Sequence, residues 1–263
     1  MGLFKRKNAG LLLTSYKKYE KDDSVLGGIR VVTCVPSYGS AIPVVEKHIR
    51  AAIMHSANKG ARWVGDISPD RESHSGARNI AATKLTTHPM LKNVDGIVWI
   101  DNDMFLQPND ITNLLLEVNK RDLDFVTSIY YQRRPPYNPL TGIWNEDKTK
   151  IKMMDDFPAN TLVPIDGTGF GLVYTSRPMF DAISALPDFN MHGGWFPDNR
   201  SSEVGMGEDY SFCKYAQEAG YQLWVHTGVQ PKHVGEYEFI GKKQFDAYRE
   251  ANTVEGEKVV RAI

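Results

Sequence analysis

The chain has 263 residues, of which 41% are hydrophobic, and its 31 Lys and Arg nearly balance its 32 Asp and Glu. That length buries a substantial core in one large α/β domain or two small ones, and near-neutrality supplies no overall electrostatic drive toward nucleic acid or lipid. There is no run of about 18 apolar residues, so no transmembrane anchoring is expected, and the two distant cysteines, Cys34 and Cys213, fit buried thiols in a reducing, cytoplasmic setting better than a disulfide framework or a metal site.

Residues 1–28 read as a basic N-terminal arm. Lys5, Arg6 and Lys7 precede only a short apolar stretch, Leu11 to Leu13, too brief for a signal peptide. The arm is either a solvated tail or a contact for an anionic partner. Ile29 to Val35 is β-branched and ends at Pro36, as a first strand would. Val44, Val45, His48, Ile49, Ala52 and Ile53 recur at helical spacing. A short strand is predicted over Arg62–Gly65, a helix over Gly76–Thr87, a buried strand over Gly96–Ile100, a helix starting at Pro108, and a strand over Asp124–Tyr131. This alternation predicts a mostly parallel sheet with helices on both faces. Beyond residue 132 the pattern turns irregular: loop and antiparallel hairpin to about 160, then a glycine-containing strand over Thr161–Tyr174. A helix over Glu208–Ala219 closes on Gly220, and Tyr221–His226 is a last strand. Residues 29–263 thus form one domain, a regular nucleotide-binding half followed by an irregular acceptor half.

Three short segments carry chemistry. The buried strand runs into Asp101-Asn102-Asp103. Ligands of open parallel sheets bind beyond the carboxyl ends of strands, and carboxylates there can hold a hard cation that neutralises a diphosphate; the plainer account is an acidic turn capping a helix. Gly207-Glu208-Asp209 opens a helix. Asp209 is then either an N-terminal cap, favoured by the helix dipole, or a general base for an acceptor hydroxyl. His233, after Gln230-Pro231-Lys232, is either a packing histidine or a nitrogen ligand.

In this order the segments resemble glycosyltransferases of the GT-A fold, close to family-2-like and polypeptide-sugar transferases, from Ile29 to about Glu238. Val35-Pro36-Ser37-Tyr38 is similar to the first-strand loop against the nucleotide, and Gly76-Ala77-Arg78-Asn79 to the helix start that meets the donor. Asp101-Asn102-Asp103 resembles the metal and diphosphate motif, and Gly167-Thr168-Gly169-Phe170-Gly171 the strand beside the donor sugar. Gly207-Glu208-Asp209 is similar to the motif that holds the base of inverting members, and His233 falls where a last metal ligand is found.

The resemblance implies an α/β GT-A enzyme that uses a nucleoside-diphosphate sugar and Mn2+ or Mg2+, inverting with Asp209 as base or, as the alternative, retaining, since both kinds share this fold. Asp101, Asp103 and His233 would bind metal. Pro36, Ser37, Tyr38, Asp66, Arg78, Asn79, Asp101, Asn102 and Gly169 would face the donor, Asp209 would act as base, and Glu208 would meet acceptor or sugar hydroxyls. Helix N–H groups and the nearby metal should favour ionised Asp209, and adjacent helical residues project about 100° apart, so Glu208 should not face the acceptor equally. The chain departs from the family at Gly65-Asp66-Ile67-Ser68-Pro69-Asp70, where Asp66 or Asp70 would approach the base, and His226 competes with His233 as ligand. The acceptor is a saccharide or a nucleic acid, by analogy with phage enzymes that glycosylate modified DNA bases. Tyr130, Tyr131, Tyr137, Trp144, His192, Trp195 and Phe196 offer aromatic faces for it, and Arg133 and Arg134 offer charge. A sugar-nucleotide pyrophosphorylase is disfavoured because Val35–Ser40 holds one glycine and no arginine. A P-loop enzyme is excluded by the lack of its motif. A non-catalytic binding module has no use for metal pair and base together.

Overall fold

The computed structural model describes residues 22–37, 42–146, 150–189, 193–198, 206–235 and 238–252. Tyr38, His192, residues 1–21 of the basic arm and most of the 190–204 loop therefore lie outside the described residues.

A seven-stranded sheet organises the chain. Its strands are β1 (Arg30–Cys34), β2 (Arg62–Asp66), β3 (Gly96–Ile100), β5 (Phe125–Ser128), β8 (Leu162–Ile165), β10 (Leu172–Ser176) and β11 (Leu223–His226), in the order β2-β1-β3-β10-β5-β11-β8. β2, β1, β3, β5 and β11 run parallel, whereas β10 and β8 are antiparallel to their neighbours. Every residue of β3 is buried, as expected of a strand covered on both faces. Alternation along it sorts the core. Trp99 joins Phe125, Phe170, Phe180, Phe196 and Phe212 on the side of α2 (His74–Thr87), α4 (Arg177–Ser184) and α5 (Glu208–Glu218). Val98 and Ile100 join Val31, Leu114 and Leu115 on the side of α1 (Pro43–Asn58) and α3 (Asp110–Arg121).

Two further sheets are small, of three strands each. β7 (Ile151–Met153), β6 (Thr141–Trp144) and β9 (Gly167–Thr168) form one. β13 (Phe239–Ile240), β12 (Lys232–Val234) and β4 (Met104–Phe105) form the other, followed by α6 (Lys242–Asn252).

Two sequence expectations need correction. The single strand over Thr161–Tyr174 is three strands, because the chain bends around Tyr130. A Cβ at Gly169 would collide with the Tyr130 hydroxyl, and one at Gly171 would lie 2.7 Å from its ring. The helix expected from Pro108 starts at Asp110, whose Oδ2 accepts the Gln107 N–H at 2.7 Å and so folds Pro108 into the preceding turn. Among the described residues no helix is long and apolar enough to cross a membrane.

The C-terminal end of α2 is fixed by a buried cation. Arg177 donates from Nη1 to the carbonyls of Leu85 (2.5 Å) and Leu91 (2.8 Å) and from Nη2 to that of Thr86 (3.0 Å). Those of Leu85 and Thr86 are acceptors that the end of α2 leaves unpaired, whereas that of Leu91 also accepts the Val94 N–H at 3.0 Å. Arg177→Met keeps the apolar stem and strips the donors, so it should destabilise the protein by about 2–4 kcal/mol in denaturant unfolding. A change below about 0.5 kcal/mol would show that solvent satisfies those carbonyls instead.

Candidate active site

The turn after β3 separates the two acidic residues. The Met104 N–H donates to the Asp101 carbonyl at 3.1 Å, closing a tight reversal into β4. Asp101 faces α2, where Ser73 caps the helix by accepting the Gly76 N–H at 3.0 Å and so presents Arg78 one turn further in. The Arg78 side chain is 1% exposed. Its Nη2 donates to Asp101 Oδ1 at 2.9 Å and its Nη1 to Glu208 Oε1 at 2.9 Å, and Nη1 also pairs with Asp209 Oδ1. The second oxygen of Asp209 accepts the Phe170 N–H at 3.3 Å, and the guanidinium lies 5.2 Å from the centre of the Phe170 ring. One cation therefore holds three carboxylates from the end of β3 and the start of α5.

Burial sets the electrostatics. It raises the Asp101 carboxyl above its usual value against the opposing charge of Arg78. It pushes Asp209 up to about 7, again against Arg78, with the neighbouring Glu208 and Asp101 charges adding to the rise. Desolvation and the two nearby anions outweigh the Arg78 charge and the Phe170 N–H, which favour ionised Asp209. Glu208 and Asp209 both reach Arg78 Nη1, because the guanidinium sits beneath the first turn of α5 and donates to a carboxylate on either side.

Asp103 turns the other way. β12 pairs antiparallel with β4 and sets His233 opposite Met104, while Val234 N–H donates to the Asp103 carbonyl at 2.9 Å. His233 is buried. Its Nδ1 lies 2.8 Å from the Tyr131 carbonyl and its Nε2 3.3 Å from Asp103 Oδ2. Arg133 Nη2 approaches the same Oδ2 at 3.0 Å. Burial pulls the Asp103 carboxyl up, but the His233 hydrogen bond and the charges of His233 and Arg133 prevail and hold it below its ordinary value. The expected trio of Asp101, Asp103 and His233 is thus divided: Asp103 and His233 converge and Asp101 is engaged by Arg78. Among the described residues no group of three or more His, Cys, Asp or Glu is placed to hold a metal.

The remaining expected donor residues are mostly committed locally. Pro36 is buried, and Ser37 bridges to Asp70 and accepts from the Asn102 amide at 3.5 Å, which links the first loop to the acidic turn. Asp66 accepts the Ser68 N–H at 3.0 Å and also bonds the Ser68 hydroxyl, whereas Asp70 is 79% exposed and the freer of the two toward a base. Asn79 holds the loop ahead of α5, accepting the Phe196 N–H at 3.1 Å and donating to its carbonyl at 3.2 Å. Space at Gly169 is taken by Tyr130. His226 accepts the Gly228 N–H at 3.0 Å and burial lowers its basicity, so it serves a turn.

The aromatic acceptor surface is corrected as well. Tyr130, Tyr131 and Phe196 are core residues, and the indoles of Trp144 and Trp195 donate to Gln217 (3.0 Å) and to the Phe180 carbonyl (2.9 Å). Sequence reasoning missed the Phe170 amide, the Tyr131 carbonyl and the pairing of Arg133 with Asp103. Backbone groups leave no residue signal, and Arg133 is one of many surface cations by sequence.

Solved structures that share this architecture include A197 from STIV, with a TM-score of 0.52 at 16% identity over 82% of this chain and 92% of that one. GalNAc-T7, solved with UDP, GalNAc and Mn2+, matches with a TM-score of 0.50 at 11% identity over 84% of this chain and 47% of its own. The inositol-1-phosphate CTP transferase from T. maritima is more distant, with a TM-score of 0.44 at 9% identity. No protein-family model matches the chain, and no curated protein matches it in sequence. At these identities the likeness shows the fold alone, an α/β fold of the glycosyltransferase-A kind.

Removing Arg78 leaves the buried Glu208 and the half-buried Asp101 and Asp209 facing one another without a cation. Arg78→Met should cost about 3–5 kcal/mol near neutral pH. Without the cation the folded state must bind protons that the unfolded chain releases, so its stability should fall further as pH rises from 5 to 8. Urea unfolding at those two pH values checks the direction. A variant more stable at pH 8 than at pH 5, relative to the parent, would contradict the geometry.

Proposed function

We propose that the chain is a metal-dependent glycosyltransferase that moves a sugar from a nucleoside diphosphate to an acceptor hydroxyl with inversion. The observation that carries the metal reading is the orientation of His233. A carbonyl only accepts, so Nδ1 beside Tyr131 bears the ring proton. Nε2 lies 3.3 Å from Asp103 Oδ2, donates to that carboxylate when it carries a proton, and offers a lone pair on the same side once it gives that proton up. The deprotonated Nε2 and the carboxylate form a donor pair that a divalent cation fits in place of the shared proton, and a metal-binding histidine typically donates its other N–H to a carbonyl in this way. Asp103 and His233 would hold the ion, and a donor diphosphate would supply further oxygens. A bound Mn2+ or Mg2+ contributes Lewis acidity that neutralises charge on the departing diphosphate.

The acceptor end belongs to α5. Asp209 takes the hydroxyl proton as the acceptor oxygen bonds to the anomeric carbon and the bond from that carbon to the diphosphate oxygen breaks. The Arg78 cluster suits the task. One cation among three carboxylates leaves an excess of negative charge, so a proton arriving on Asp209 relieves repulsion. Arg78 also stays paired with Asp101 and Glu208 after the proton moves. The Phe170 amide fixes the second Asp209 oxygen. Glu208 is assigned to acceptor or sugar hydroxyls, and Ser37, Asn102 and Asp70 to the nucleoside end. The acceptor is a saccharide or a nucleic acid, since burial of Tyr130, Tyr131 and Phe196 withdraws the same stacking faces from a sugar ring and from a base.

Two measurements test this reading. A screen of nucleoside-diphosphate sugars with Mn2+ should detect diphosphate release, abolished by EDTA and reduced about 10²-fold or more by Asp103→Ala; undiminished turnover in excess EDTA refutes the metal role. Because a base works deprotonated, transfer should be lost as pH falls through about 7, the range to which burial pushes Asp209. Asp209→Asn should remove that limb and slow transfer about 10²–10⁴-fold with donor affinity nearly intact. An unchanged rate in Asp209→Asn, with Glu208→Gln inactive, reverses the two roles.

A further inference from the structure

The Arg133 contact is left unused by the reaction above. Arg133 lies on a short hairpin after β5. Tyr131 bridges to Pro139, Gln132 N–H donates to the Asn138 carbonyl at 3.0 Å, and Leu140 N–H to that of Tyr130 at 3.0 Å, so the backbone is pinned on both sides. The side chain is 56% exposed and reaches from this rigid base to Asp103 Oδ2 at 3.0 Å. That is the oxygen which His233 Nε2 also faces. We propose that Arg133 is an internal counter-ion for the metal site: its guanidinium occupies Asp103 in the free protein, yields Asp103 to the divalent cation, and then contacts the diphosphate that arrives with that cation. This inference rests on the metal-dependent reading of Asp103 and His233.

Three physical points support the exchange. Asp103 is 9% exposed, and a buried carboxylate needs a partner. A guanidinium meets that need without the cost of an unpaired anion. A divalent ion on Asp103 Oδ2 would take the oxygen that the guanidinium holds, and like-charge repulsion at that short range adds to the competition, so one displaces the other. The released side chain is not lost to solvent, because its hairpin remains tied to the site: His233 Nδ1–H holds the Tyr131 carbonyl, two residues before Arg133. A planar guanidinium kept beside the site matches phosphate oxygens. The exposed stem supplies the freedom to swing, while the buried histidine supplies the anchor.

The exchange predicts opposite effects on two ligands. With the latch gone, Mn2+ alone should bind more tightly, since the closed fraction no longer competes. The diphosphate should bind more weakly. Binding of Mn2+ to the full chain is measured by loss of the free-ion electron paramagnetic resonance signal, without nucleotide. Arg133→Gln should bind Mn2+ about three- to tenfold more tightly than the parent, and Arg134→Gln should not, which separates a direct contact from a general change in charge. Calorimetry with micromolar inorganic pyrophosphate on the Mn2+-loaded proteins should then show weaker binding to Arg133→Gln than to the parent. Equal Mn2+ affinity in parent and Arg133→Gln, with Asp103→Asn defective, overturns the latch and leaves the metal reading in place. An equal gain in Arg133→Gln and Arg134→Gln also overturns it. Absence of Mn2+ binding in parent and Arg133→Gln alike overturns both.

Discussion

The buried guanidinium of Arg78 is the constraint around which the rest of the site is arranged. It is withdrawn from water and bonded to Asp101, Glu208 and Asp209, which come from two elements more than a hundred residues apart in the chain. Pairing of buried ions adds little net stability, because desolvation offsets most of the attraction. Its value here is positional. A planar cation accepts partners only at fixed angles, so α2, the end of β3 and α5 are held in one register at the point where donor and acceptor would meet.

The tight reversal after Asp101 gives this constraint its consequence. Asp101 and Asp103 are two residues apart and serve different centres. One is consumed by an internal cation. The other points to His233 and an exposed arginine on a hairpin. β12 does as much as β3 to define the second centre, since its antiparallel pairing with β4 determines where His233 stands. The two centres thus draw on separate cations, Arg78 buried in one and Arg133, 56% exposed, in the other.

The glycines of the segment from Gly167 to Gly171 show how packing reassigns a pattern. Glycine permits close approach by any bulky neighbour. At Gly169 and Gly171 the neighbour is Tyr130, and the resulting bend carries the Phe170 amide to Asp209 and the Phe170 ring beneath Arg78. The same residues that resemble a sugar-facing strand therefore shape the site from behind, by placing a backbone donor and an aromatic face.

The sequence by itself determined the alternating elements, the mostly parallel sheet and the residues able to carry charge at its carboxyl edge, because periodicity and turn residues act over short range. β3 was legible from five consecutive apolar residues ending in Asp101, and α5 from its amphipathic run and the left-handed Gly220, at φ +90°. The partners of those charges were decided only in the tertiary structure. Nothing local to Asp209 encodes that burial raises it or that Glu208 shares its cation, since both follow from α5 packing over a guanidinium 131 residues away. The antiparallel insertion of β10 between β3 and β5 was equally hidden, because strand order is a matter of long-range pairing and its residues read the same in either direction. The division of Asp101 from Asp103 depends on one backbone hydrogen bond in a turn, and the role of Arg133 on a hairpin closed by backbone groups that every residue possesses.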